Sequence, residues 1–194
     1  MKPLAYTWPY PLLFWGVFLF AYVPEFGVVA RSKPAKGEKT DRGSLQVILL
    51  AGMVGSFVAF AVAPISAFVI VRGQKIWFAV GLLILFSGSL LRRHCWRMLG
   101  QYFTGDVKAA ADQPVIERGA YRWVRHPSYT GGILMYIGTG IALTNWLSAV
   151  IIGASGAGAY LYRVHVEEQA LQMHIGERYE EYMRRTKRFV PFVY

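Results

Sequence analysis

The sequence predicts an all-α integral membrane protein with about five transmembrane helices, and three observations carry that prediction. Hydrophobic residues make up 55% of the 194 and charged residues only 16%, with a mean hydropathy of +0.33, which is too apolar for an ordinary soluble domain. Apolar runs long enough to cross a bilayer recur along the chain between shorter polar stretches. The basic residues gather in some of those stretches and avoid the others.

A hydrocarbon core of about 30 Å takes roughly 17–25 mostly apolar residues per helix. Residues 8–30 form the first span. No small-x-small cleavage pattern follows this run, so it is expected to stay as an anchor and not to be removed as a signal peptide. Glu25 near its end is expected to reach the interface. Residues 45–71 form the second span, in which Pro64 predicts a kink or tilt. Residues 76–91 form the third, short but extendable because Lys75 and Arg92 snorkel. Residues 128–161 are apolar almost throughout, broken only at Thr144, Asn145 and Trp146, which predicts a tight hairpin of the fourth and fifth spans. The polar connections are 31–44, 72–75 and 92–127, followed by the tail 162–194. This layout divides the chain into residues 1–91, holding three transmembrane helices, and residues 92–194, holding a connector, the hairpin and an amphipathic C-terminal helix.

Of the 21 Lys and Arg residues, 18 fall in 31–44, 92–127 and the tail. Five spans put these three segments on one side, as the positive-inside rule requires of a cytoplasmic face. A single span over 128–161 would send the tail's six to the other side. The N-terminus is therefore expected outside and the C-terminus in the cytoplasm. The net charge of +10 then belongs to cytoplasmic loops. With no RNP, zinc-finger or helix-turn-helix pattern, nucleic acid is not expected as a partner. A lone cysteine, Cys95, excludes a disulfide framework, and His94, His165 and His174 lack metal-type spacing, so no metal is expected.

The densest polar punctuation is YRWVRHPSYTGG, residues 121–132, at the mouth of the fourth span. Proline suits the first turn of a helix and pushes the preceding residue out of it, so His126 sits at the N-cap and the helix starts at Pro127 or Ser128. The N–H groups of Ser128, Tyr129 and Thr130 would then be open to an anion. Gly131 and Gly132 would admit a ligand or another helix. Taken alone, the same residues also describe a capped membrane helix flanked by snorkelling arginines. Beyond the hairpin, Arg163 and Glu167 are four apart and share a helix face, whereas Glu168 points elsewhere. An i,i+4 surface pair is the plain reading of that spacing, but ionisable groups beside the hydrocarbon boundary are expensive and often functional. Tyr179, Tyr182 and Met183 then recur at helical spacing, as in an amphipathic interfacial helix.

Together, GAYRWVRHPSYTGG before the hairpin, with RVHVEEQAL and GERYEEYMRRTKRFVPF after it, resemble the isoprenylcysteine carboxyl methyltransferase family and its relatives among phospholipid methyltransferases. The likeness covers roughly residues 99–194; the N-terminal spans show none. It implies an intramembrane enzyme that takes S-adenosyl-L-methionine in a cytoplasmic helical region without a Rossmann fold. By position, the cofactor would meet Gln113, Pro114, Val115, Ile116, Tyr121, His126, Pro127, Ser128 and Tyr129, while Arg163 and Glu167 fall on the family's substrate-side, catalytic positions. Gln113 and Pro114 depart from the family's usual residue types there. The implied partners are the lipid bilayer and a prenylated or lipid-like methyl acceptor.

The expected reaction is methylation of a lipophilic acceptor's carboxylate. A phospholipid amine and a small thiol are the enzymatic alternatives, and a basic membrane scaffold is the alternative without catalysis.

Overall fold

The computed structural model describes residues 2–31, 41–100, 103 and 114–191. Among these, six α-helices and three 3-10 turns make up the regular structure: α1 (Tyr10–Arg31), α2 (Ser44–Val62), α3 (Gln74–Leu99), α4 (Pro127–Ala142), α5 (Trp146–Ile175) and α6 (Glu177–Arg185). Four of them, α1, α2, α3 and α5, are long and apolar enough to cross a membrane. The fourth predicted span, α4, is a helix of 16 residues, about 24 Å at 1.5 Å per residue, and much of it is buried against its neighbours. A proline opens α4 and the turn at Thr144 (φ 53°) ends it, so neither end can extend.

Two predicted spans differ in extent. The second stops at Val62, two residues before Pro64, and a 3-10 turn at Ser66–Phe68 follows. Proline here ends the helix and does not kink it, because it lacks the N–H and its ring clashes with the preceding turn. The third runs on past residue 91 to Leu99, carrying Arg92 inside the bundle instead of at its rim.

Ring and side-chain contacts give the helix directions. Tyr10 meets Phe78, Phe20 meets Phe86 and Glu25 meets Arg92, so α1 and α3 run parallel. In α3 and α4, Gly81 lies against Ala142, Gly88 against Gly131, and Arg92 against Ser128, so that pair is antiparallel. Small residues make this seam close: a Cβ at Gly138 would stand 2.3 Å from the Leu85 backbone nitrogen. Across the α4–α5 hairpin, Tyr160 fills the space over Gly132 and Tyr136 the space over Gly156. Helix α2 packs antiparallel on α5, with Ser148 and Ser155 donating to the carbonyls of Ala59 and Ala51.

The hairpin turn itself is a polar knot at the far end. Thr144 Oγ1 accepts from the Leu4 N–H at 3.1 Å and from Gln74 Nε2 at 3.3 Å, and Asn145 Nδ2 donates to the Ala63 carbonyl at 3.1 Å. All four groups are buried and satisfied, which closes that end of the bundle.

Candidate active site

At the opposite end, the connector and the tail meet. Val124 and Lys187 form a parallel bridge; the Arg125 N–H donates to the Lys187 carbonyl at 2.7 Å and the His126 N–H to the Arg188 carbonyl at 3.0 Å. Thr130 Oγ1 ties α4 to the Phe189 carbonyl at 2.9 Å. Glu168 locks this strap: its carboxylate accepts from Arg125 Nε at 2.8 Å and Arg188 Nε at 3.0 Å, with His126 Nε2 at 3.3 Å. Glu168 is 3% exposed, so this is a buried anion with cations around it, which is what such burial requires. Helix α6 covers the strap from below. Its Tyr179 and Tyr182 are buried against protein, so the apolar face expected to lie on the membrane is partnered within the chain. The Tyr182 hydroxyl donates to the Tyr121 carbonyl at 2.6 Å, and burial pushes that phenol above its ordinary pKa.

Inside the strap sits an aromatic stack. His126 occupies the N-cap and Pro127 the first turn of α4, as the sequence predicts. The His126 ring lies 5.4 Å from that of Tyr129 and within 5° of parallel, and Tyr129 stacks in turn on Tyr160 at 5.1 Å. The Tyr129 hydroxyl donates to Glu167 Oε2 at 2.6 Å and accepts from Arg163 Nε at 3.2 Å. It thus bridges the two residues that the sequence paired by spacing. The far side of the Arg163 guanidinium, Nη1, donates to Asp41 Oδ1 and, at 2.8 Å, to Ser44 Oγ at the start of α2. Arg163 is 3% exposed, whereas the Glu167 side chain keeps 27% of its surface open.

One expectation for this helix start fails. The N–H groups of Tyr129 and Thr130 both donate to the His126 carbonyl at 3.0 Å. The tight turn at His126 (φ −123°, ψ 52°) brings that carbonyl over the first turn, so these two groups cannot form an open anion cradle. Gly131 and Gly132 admit neighbouring side chains: a Cβ at Gly131 would meet Arg92 Cγ at 2.8 Å, and one at Gly132 the Tyr160 hydroxyl at 2.3 Å.

A second charged pair braces the stack from α1 and α3. Arg92 donates to both oxygens of Glu25, each at 2.6 Å, and through Nη1 to the Ser128 carbonyl at 3.0 Å. Its guanidinium carbon lies 5.9 Å from the Tyr160 ring centre and 5.6 Å from that of Trp96. Glu25 and Arg92 were expected to reach the interface separately; they reach each other.

Of the other residues singled out by sequence, Gln113 lies outside the described residues. Pro114 is exposed and Val115 and Ile116 are half-buried in the approach to the 3-10 turn Gly119–Arg122; among the described residues, none of the three joins the hydrogen bonds or ring contacts of the stack. Tyr121 is buried in that turn, its phenol beside Cys95 of α3. The residues that the sequence did not single out for the site are Tyr160, Asp41, Ser44, Glu25 and Arg92. Only Glu25 and Arg92 carry a signal in the sequence, the one as a charge within a span and the other as a charge at the edge of one.

Residues 79–173 match the isoprenylcysteine carboxyl methyltransferase family, a stretch that holds Tyr121, His126 to Tyr129, Arg163 and Glu167. Over that stretch, just under half of its length, the chain resembles this family. It is 31% identical over 115 residues to protein-S-isoprenylcysteine O-methyltransferase B of Arabidopsis thaliana, covering 58% of each chain. It is also 31% identical over 117 residues to the Mus musculus protein-S-isoprenylcysteine O-methyltransferase, covering 59% of this chain and 41% of that one. The aligned stretch thus spans less than two thirds of these relatives' length. The fold is similar to that of the eukaryotic intramembrane Ras methyltransferase, with a TM-score of 0.64 over 98% of this chain and 70% of that one at 22% identity. The likeness of fold therefore takes in the two N-terminal helices, where the sequence offered none.

Proposed function

We propose that this chain is an S-adenosyl-L-methionine-dependent membrane methyltransferase that esterifies the carboxylate of a lipophilic acceptor, a prenylated C-terminal cysteine in the first place. The observation that carries the reading is the Arg163–Tyr129–Glu167 bridge, built from the family's matched stretch and stacked between His126 and Tyr160.

The donor set suits the cofactor. A partly open carboxylate beside stacked aromatic faces favours a cation, and Tyr129, His126 and Glu167 supply both. The indole N–H of Trp96, beside Arg92, is buried with no acceptor among the described residues, which leaves a donor for a polar ligand. Pro127 and Ser128, with Tyr121 and the approach 114–116, complete the wall implied by the likeness; Gln113 belongs to the same expectation. When bound, S-adenosyl-L-methionine supplies an electrophilic methyl on a sulfonium cation.

The chain's own residues supply position and charge. An acceptor carboxylate with a pKa of about 3.5 is already ionised at neutral pH, so no strong base is needed. Arg163, a permanent cation, draws that carboxylate to the stack. Tyr129 holds Glu167 in place by its 2.6 Å bond. The strap of Glu168, Arg125 and Arg188 keeps water from the inner side of the cluster, which raises the strength of every charge interaction there. The exposed apolar faces of α1, α2 and α3 meet lipid, from which a prenyl chain enters; each buried CH₂ contributes about 0.8 kcal/mol. The segregation of 18 of 21 basic residues supports an N-terminus outside, with the site and the C-terminus in the cytoplasm.

The test supplies labelled methyl donor and a panel of prenylcysteine, phosphatidylethanolamine and thiol acceptors to purified protein, and identifies the product by mass. A prenylcysteine methyl ester is expected, and Arg163→Ala or Glu167→Ala removes it while the protein stays folded. Labelled amine or thiol alone overturns the acceptor, and no saturable S-adenosylhomocysteine binding overturns the enzyme.

A further inference from the structure

We infer that Asp41, outside the family's matched stretch, is a positioning residue of the site: it holds Arg163 away from Glu167 so that Tyr129 can bridge the two. This rests on the reading just given of Arg163 and Glu167.

Arg163 and Glu167 lie one turn apart on α5, where two opposite charges pair directly by default. In this structure Tyr129 stands between them. What turns the guanidinium toward α2 is the pair of acceptors at its Nη1 edge, Asp41 Oδ1 and Ser44 Oγ. A long side chain is directed by its charged tip, so the partner that carries charge decides the rotamer, and that partner is Asp41.

Asp41 is itself held. Its Oδ1 accepts from Ser44 Oγ at 2.8 Å and its Oδ2 from the Leu45 N–H at 3.2 Å, capping the first turn of α2. The next residue straps the segment to α5: Arg42 Nη1 donates to Gln169 Oε1 at 3.0 Å, and the Tyr162 hydroxyl donates to the Arg42 carbonyl at 3.2 Å. Three residues of α5, Tyr162, Arg163 and Gln169, thus grip the two residues 41 and 42. The carboxylate cannot drift, and Arg163 has a fixed post to lean on.

Without the Asp41 charge, the remaining anion beside Arg163 among the described residues is Glu167. The guanidinium then swings one turn along α5, pairs with Glu167 and displaces the Tyr129 hydroxyl. The cap of α2 survives in Asp41→Asn, since asparagine keeps an acceptor oxygen for the Leu45 N–H. The variant therefore removes the charge, and the acceptor facing Arg163, while sparing the cap.

The experiment measures methyl transfer from labelled S-adenosyl-L-methionine to an N-acetyl-S-prenylcysteine by the full chain in detergent, for wild type, Asp41→Asn and Asp41→Glu. Asp41→Asn is expected to lower kcat by about 10–100-fold, the usual effect of misplacing a catalytic group by about 1 Å, with KM for the acceptor within threefold of wild type. Asp41→Glu should recover most of it. An unchanged kcat makes Asp41 a plain helix cap, and an altered KM makes it a substrate contact; either overturns the inference. A second arm needs no turnover: in thermal unfolding, Glu167→Gln should lower the midpoint more in the Asp41→Asn background than in wild type, because Arg163, joined to Glu167 only through Tyr129 in the wild type, pairs with it directly there. Additive shifts overturn the inference. A wild type that transfers no methyl group, yet shows that non-additivity, overturns the proposed function and leaves the positioning intact.

Discussion

Replacing Glu25 by glutamine should destabilise the bundle by about 2–3 kcal/mol, and replacing its partner as well should return most of it. Glu25 and Arg92 face each other through two 2.6 Å bonds, with side chains 20% and 9% exposed. Removing one member of such a buried pair costs about 3–5 kcal/mol, because the other charge is left uncompensated. Arg92 would keep the Ser128 carbonyl and the faces of Trp96 and Tyr160 at 5.6 and 5.9 Å, and desolvated cation–π contacts return about 1–2 kcal/mol. Polar couplings inside membranes are often as small as about 0.6 kcal/mol, since an unfolded chain in lipid also finds partners. Here the bidentate geometry should keep the effect above that level. For a chain of this size, about 2–3 kcal/mol lowers the thermal midpoint by about 4–12 °C. Scanning calorimetry in detergent on Glu25→Gln and on Glu25→Leu combined with Arg92→Met reads both numbers. A single-variant loss below about 0.6 kcal/mol, or a double variant no better than the single, refutes the brace.

Gly138→Ala forces a Cβ to 2.3 Å from the Leu85 nitrogen in the α3–α4 seam, so it should cost about 1–3 kcal/mol, whereas Gly158→Ala meets nothing within 4 Å and should gain about 0.5–1 kcal/mol. Equal midpoints for the two variants would contradict the seam. Glu168→Gln leaves Arg125 and Arg188 without their shared carboxylate; limited trypsin digestion should then cut the strap at Arg184 to Arg188 at least tenfold faster, and an unchanged rate would show that the strap does not depend on it. Burial holds the Tyr121 and Tyr182 phenols above their ordinary pKa of 10, so their contribution is complete below pH 10 and is lost as the pH rises beyond it, when the unfolded chain gives up protons that the folded one keeps. Phenolate absorbance should therefore lag behind pH 10 until unfolding, and two tyrosines titrating freely in the folded protein would be the contrary result.

What the sequence makes legible here is what local chemistry decides. His126-Pro127 can only stand at a helix start, Thr144-Asn145 can only break an apolar run, and a hairpin between them brings its two ends to one level. That is why Tyr129 and Glu167, 38 residues apart, could be expected to meet. The partner of Arg163 could not be expected in the same way. Asp41 lies 122 residues away, and its role depends on α2 packing along α5, which no periodicity in either helix announces. The open helix start is not legible for a related reason: whether Tyr129 and Thr130 keep free N–H groups depends on the ψ of one residue, His126.

Glu25 and Arg92 stand between these cases, and depth along the helix shows why. Glu25 lies 15 residues after the first residue of α1 and Arg92 18 after that of α3, which at 1.5 Å per residue is about 23 and 27 Å. In any chain that crosses and returns once between them, the first and third spans run the same way, so these charges share a level to within a helical turn. Arg163, 17 residues or about 26 Å into α5, reaches that level too. The hydrocarbon core is about 30 Å thick, so for helices that start at one edge all three charges fall just inside the other. Each would be costly there alone. Their pairing with one another, or with Asp41, follows from that shared level: the aromatic stack is built where the bilayer forces ionisable side chains to find partners within the protein.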